Sequence, residues 1–161
     1  MTVVSTTPDT GSRTLTVVAE FAATPTRVWQ LWSDARQLER WWGPPTWPAT
    51  FVEHDLVPGG SARYVMTGPD GEQAGGWWRF LSVDEPRSLE FEDGFADADG
   101  QPAADMPTTR TRMSLEESPA GTRMTLVSQF ASVEQMEQLT SMGMVEGLTA
   151  ALGQIDEILA A

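Results

Sequence analysis

No cysteine and no lysine occur anywhere in the 161 residues, and histidine and tyrosine occur once each. The absence of thiols excludes disulfides, a thiol nucleophile and thiolate metal ligands, and it fits a reducing compartment. Without lysine, no side-chain amine is available for a Schiff base. One histidine, with no HExxH and no paired-Asp motif, supplies no metal-ligand set, so neither a metal nor a cofactor is expected. There is no Gly-x-Ser-x-Gly elbow, and Gly59-Gly60 and Gly75-Gly76 lack the spacing and following helix of a phosphate cradle. No stretch approaches the roughly 20 apolar residues of a membrane span, and the N-terminus has no signal-peptide h-region. Basic patches are missing too. All ten cations are arginine and the net charge is −13, which argues against nucleic acid or an anionic membrane as partner. A soluble cytoplasmic protein is the expectation.

What is present is a regular alternation of strand and turn signals. Residues 1–13, rich in Thr and Ser with Pro8 and Gly11, read as a disordered tail ahead of one domain over residues 14–161. Leu15, Val17, Ala19 and Phe21 alternate with polar residues at the period of a half-buried strand. Thr24 followed by Pro25 starts a short helix with Val28, Trp29, Leu31 and Trp32 on its apolar face, and Asp34 starts a second carrying Leu38, Trp41 and Trp42. Six strands follow, over Thr50–Leu56, Ala62–Thr67 and Gly75–Val83, then around Leu89–Phe91, Thr111–Leu115 and Met124–Phe130. The acidic, Gly- and Pro-containing segment 93–107 reads as a mobile loop or a lid. Ser132 caps a long final helix, in whose middle Gly143 and Gly147 mark a place for a kink. The order defines an α+β, helix-grip fold: a curved antiparallel sheet of about seven strands around a long C-terminal helix, with two short helices after the first strand.

Little in this pattern carries chemistry. His54 and Asp55 are neighbours on a strand and point to opposite faces, so they do not pair. Most carboxylates fall on outward faces, and Glu20 and Glu53 are the two of which strand twist or a bulge can turn one inward. No catalytic residue is assigned. Soft apolar side chains, in contrast, converge between sheet and long helix. The pocket expected there is lined by Trp32, Trp41, Ala62, Tyr64, Met66, Trp78, Phe80, Met113, Met124, Met144, Leu148 and Leu152. Methionine adapts to ligands of varied shape, and Tyr64, Thr111 and Ser128 are the polar groups placed to orient one. Trp42, Trp47 and Trp77 are candidates for partial exposure, at a pocket mouth or in a homodimer interface.

Five segments in order resemble one family: Val28-Trp29-Gln30-Leu31-Trp32, Leu38-Glu39-Arg40-Trp41-Trp42-Gly43-Pro44, Asp55-Leu56-Val57-Pro58-Gly59-Gly60, Gly68-Pro69-Asp70-Gly71 and Gly143-Met144-Val145-Glu146-Gly147. Together they resemble the START/Bet v 1-like (SRPBCC) superfamily, and within it the branch named after the activator of Hsp90 ATPase homologue, over about Thr14 to Leu159. Similar proteins usually carry Arg where this chain has Val57, an aromatic at Ala62 and often Trp at Leu148. The last two departures imply a roomier pocket. The resemblance implies non-catalytic binding of a small hydrophobic or aromatic ligand. It also offers a cyclase- or aromatase-like enzyme, with Tyr64, His54 or Arg79 supplying an acid or base, and an Hsp90 co-chaperone-like partner as the reading ranked last.

Overall fold

The computed structural model describes residues 3–160. Eight antiparallel strands form one sheet: β1 (Val3–Asp9), β2 (Thr14–Phe21), β3 (Ala49–His54), β4 (Ser61–Thr67), β5 (Gln73–Asp84), β6 (Ser88–Ala96), β7 (Thr108–Ser118) and β8 (Gly121–Phe130), in spatial order 1-2-8-7-6-5-4-3. Every link but β2–β8 joins strands consecutive in sequence, so short turns set most of the register. The helices α1 (Pro25–Ser33) and α2 (Ala35–Leu38) fill the long connection from β2 to β3, and three helical segments follow β8. The fold is α+β and helix-grip, as the alternation implies, with one strand more. Among the described residues no helix is long and apolar enough to cross a membrane.

Over residues 3–9 the extra strand corrects the reading of residues 1–13 as a disordered tail; residues 1–2 lie outside the described ones. Val3–Asp9 pairs with β2, from Val3↔Ala19 to Asp9↔Thr14. Composition hid it: Thr and Ser make a segment polar, yet β-branched Thr suits an extended edge. The hairpin turn is built by Asp9, whose Oδ1 accepts from the Gly11 and Ser12 N–H groups at 2.9 and 3.3 Å. Arg13 then donates to the Ala131 carbonyl at 2.7 Å, tying the turn to the end of β8.

Local sequence explains the helix starts. The Thr24 hydroxyl accepts from the Arg27 N–H at 3.3 Å with Pro25 in the first turn, and Asp34 accepts from the Arg36 N–H at 2.9 Å. α2 ends at Leu38, so Trp41 and Trp42 project from the turn beyond it. Ser132 caps α3 (Val133–Ser141) by accepting from the Gln135 N–H at 3.1 Å. The expected long C-terminal helix is broken into α3, α4 (Met144–Leu152) and α5 (Ile155–Ala160). Gly143 makes the first break with a left-handed φ of 92°, a conformation side-chain-bearing residues avoid, whereas Gly147 stays helical within α4.

A second correction concerns segment 93–107. β6 continues to Ala96, pairing Asp93 with Trp78 on β5 and with Thr109 on β7, so the irregular stretch begins only afterwards. The core is dominated by rings. Trp32, Trp41 and Trp78 are fully buried, with Trp32–Trp41 ring centroids 4.9 Å apart edge-on and Trp78 stacked on Phe91 at 4.4 Å. The Trp41 indole donates to the buried Leu31 carbonyl at 3.0 Å, and Gln154 donates to the Trp41 and Gly43 carbonyls at 3.2 and 2.7 Å. The C-terminal segments are thereby tied to the loop after α2.

Gly43 is the tightest point of that loop, because a Cβ built on it would run into the Trp47 carbonyl and lie 2.8 Å from the Ala49 nitrogen. Both are backbone atoms and neither swings aside. Gly43→Ala is expected to lower unfolding free energy by more than about 2 kcal/mol, read as a fall in the urea midpoint at unchanged slope.

Candidate functional site

The concave face of the sheet and the C-terminal segments do not close on each other. Between them lies a cavity of about 260 Å³ bounded by Trp32, Trp42, Phe91, Met66, Met144 and Leu148, with Pro44, Leu126 and Gly147 completing its apolar wall. A second space of about 240 Å³ adjoins it, reaching to Phe95, Pro107 and the broken helix at Leu139, Met142 and Gly143. Asp93 and Met144 line both, which puts Asp93 at their junction. The break at Gly143 thus forms part of the wall.

Of the residues expected in the pocket, Trp32, Tyr64, Met66, Met144 and Leu148 line these spaces. Trp41, Ala62, Trp78, Phe80, Met113, Met124 and Leu152 lie elsewhere, each at most 1% exposed in the packed core. Ala62 shows why. It sits in register between His54 and Trp78, all facing inward, so neighbouring rings take the volume its small side chain leaves. Leu148, in contrast, lines the cavity. Thr111 and Ser128 do line the cavity, their hydroxyls 3.4 Å apart.

His54 is held by a structural contact, its Nε2 lying 3.0 Å from the Trp32 carbonyl. Arg79 is exposed on the outer face. Of the two carboxylates left open by the sequence, Glu20 pairs outside with Arg123 at 2.7 Å, and Glu53 is exposed after a bulge at Val52. Trp42, Trp47 and Trp77 are all half-buried, and only Trp42 reaches the cavity. Among the described residues no cluster of three or more His, Asp or Glu side chains is arranged to hold a metal ion.

The one polar group that sequence reasoning missed is Asp93. The signal was present: Leu89, Phe91, Asp93 and Phe95 keep one parity, so extending the strand by four residues turns Asp93 inward. Its Oδ1 is fully enclosed and has no hydrogen-bond partner among the described residues. Burial pushes the carboxyl up to about 7, with the neighbouring Glu92 charge adding to the rise. Burial also drives the Tyr64 hydroxyl well above the usual phenol range, and there the Asp93 charge contributes in the same direction. The indoles of Trp42 and Trp78 face that hydroxyl and oppose the shift without meeting full hydrogen-bond geometry. The Trp32, Trp42 and Trp78 indole nitrogens are all enclosed and unpaired among the described residues. The site is an aromatic-lined chamber with one carboxyl whose ionisation is raised to about 7.

An antiparallel sheet folded around C-terminal helical segments, with a ring-lined cavity between them, defines the class. The family profile described as activator of Hsp90 ATPase homolog 1-like protein matches residues 22–160, and the chain belongs to that family. Among solved structures it is similar to a Mycobacterium smegmatis protein at 49% identity, covering 98% of this chain and 96% of that one with a TM-score of 0.91. It is also similar to an Arthrobacter aurescens protein solved in solution, at 51% identity, 99% and 92% coverage and a TM-score of 0.94. An AHSA1 protein from Silicibacter pomeroyi shares 26% identity over 91% of this chain and 97% of its own, with a TM-score of 0.73. No curated protein matches the chain.

A carboxyl protonated more readily in the folded than in the unfolded chain stabilises the fold below the unfolded value near 4. That stability is lost as pH rises through about 7. Asp93→Asn removes the ionising group. The variant is therefore expected to gain on the native protein by a few kcal/mol between about pH 4 and pH 8, since each tenfold change in proton affinity is worth about 1.4 kcal/mol. Paired denaturation curves across that range measure it.

Proposed function

We propose that this protein binds a small, largely apolar or aromatic molecule in the chamber between the sheet and the C-terminal helical segments. The observation that carries the reading is the chamber itself. About 260 Å³ stays open beside one of the densest groupings of rings in the fold, where close packing is otherwise the rule. Trp and Phe faces offer stacking area, and Met66 and Met144 adapt to shape. Thr111 and Ser128 supply hydroxyls for orientation.

Asp93 favours a second reading, acid–base catalysis on the bound molecule. A carboxyl poised near 7 gives or takes a proton at neutral pH, and a dry enclosure that shapes a reactive chain needs little more to direct a cyclisation. Turnover of a linear polyketide-type substrate that disappears in Asp93→Asn would support this reading over simple carriage. A chaperone partnership is carried by the family description alone and ranks below both.

The test of binding uses the neutral fluorophore N-phenylnaphthylamine, together with a thermal-shift panel of lipids, steroids and aromatic polyketides. Saturable fluorescence enhancement or stabilisation is expected. Leu148→Trp places an indole in the chamber and is expected to weaken binding at least about tenfold while leaving the fold at least as stable. No response across the whole panel would defeat the reading.

A further inference from the structure

The chamber of the proposed binding function has an unusual electrostatic composition, and the ligand class follows from it. Asp93 Oδ1 is enclosed and unpaired, and no arginine is among the residues lining either space. The titratable groups around Asp93 are Tyr64 on β4, itself held in its neutral form, and Glu92, the next residue on β6. From β5 and β7 its register partners are Trp78 and Thr109, and from the helical side the wall is Leu139, Met142 and Met144, none of them charged. The protein therefore provides a part-buried carboxyl, one oxygen of which is enclosed, with no positive residue lining either space. A carboxylate in such surroundings carries a large desolvation cost that only a cation offsets well. The faces of Trp32, Trp42 and Phe91 line the same chamber, and aromatic faces attract cations in their own right. The net charge of −13 draws cations toward the molecule and repels anions.

Resting on the binding function proposed above, we infer that the ligand is a small protonated amine with an apolar or aromatic body, its nitrogen against Asp93 and its body among Trp32, Trp42, Phe91 and Met66. The size fits. A cavity of about 150 Å³ takes a single benzene ring, so 260 Å³ takes a fused two-ring body with a short arm. A neutral hydroxyl would also hydrogen-bond to Asp93, but a charge-assisted hydrogen bond is about twice as strong as a neutral one. An anionic ligand would set like charges together.

Isothermal titration of the full chain with naphthylmethylamine, naphthylmethanol and naphthoic acid separates these cases, since the three share a body and differ in charge. Near pH 8 the amine is expected to bind at least about tenfold tighter than the alcohol, with the acid weakest. Asp93→Asn is expected to erase the amine's advantage over the alcohol. With the native protein, amine affinity should rise about tenfold from about pH 6 to about pH 8 as Asp93 ionises, while alcohol affinity stays flat. This pH series decides the matter even if Asp93→Asn does not fold. Alcohol binding as tight as amine binding, a flat amine series, or an amine advantage surviving in Asp93→Asn would overturn the inference and leave the apolar-binding function standing. Failure of all three compounds to bind overturns the inference, while the function is judged by its own wider panel.

Discussion

The packing of Trp32, Trp41 and Trp42 against Trp78 and Phe91 is the contact on which the other features depend. Trp42 meets Trp78 edge-on at 4.7 Å, Trp32 meets Trp41 at 4.9 Å, and Trp78 stacks on Phe91 at 4.4 Å. Such pairs add about 0.5–1.5 kcal/mol each beyond the area they bury. They also join distant parts of the chain: α1, the turn after α2, and the adjacent strands β5 and β6. The rings hold the α1–α2 connection onto the inner face of the sheet. Gln154 then fastens the C-terminal segments to the same loop through the Trp41 and Gly43 carbonyls.

A cluster of this bulk has a geometric consequence. Large rigid rings fill one part of the concave face and keep the helical segments from settling on the rest, where Met66, Leu126 and Leu148 leave room. The chain bends around the gap with the left-handed turn at Gly143. The cavity and the broken helix meet at this turn, where Gly143 lines the adjoining space. The same rings shield the Asp93 carboxyl from solvent, and that burial is what raises it. On the solvated outer face Glu90 sits between Arg110 and Arg112, each 3.6 Å away, as an ordinary surface ion pair. Three residues along the same strand and on the opposite side, Asp93 has rings and no cation.

Much of the fold was legible because parity and capping are local. The inward set Leu15, Val17, Ala19 and Phe21, the caps Thr24, Asp34 and Ser132, and the opposed hydroxyls of Thr111 and Ser128 follow from alternation and spacing over a few residues. Edge strand β1 was not, because a polar Thr/Ser segment reads alike as tail or strand until a partner is present to pair with it. Asp93 was hidden for a related reason: an acidic, Ala- and Gly-rich composition marks a loop, and only the ladder to Trp78 and Thr109 holds it extended. Chemistry was least legible where it depends on an unfavourable residue in an unfavourable place, since hydrophobic patterning expects the opposite there.

The sequence by itself determined the fold class, the strand parity, the points where helices begin, and the chemistry foreclosed by having neither cysteine nor lysine. These are properties of residue types and short spacings. Only the tertiary structure decided which apolar residues became wall and which became core. Ala62 and Leu148 both fall on the inward face expected to line the pocket, yet Ala62 is fully buried in the core and Leu148 faces the cavity. It also decided that one acidic side chain among many would turn inward, with an oxygen enclosed and unpaired among the described residues. Burial is set by what packs opposite, and that partner is tens of residues away along the chain.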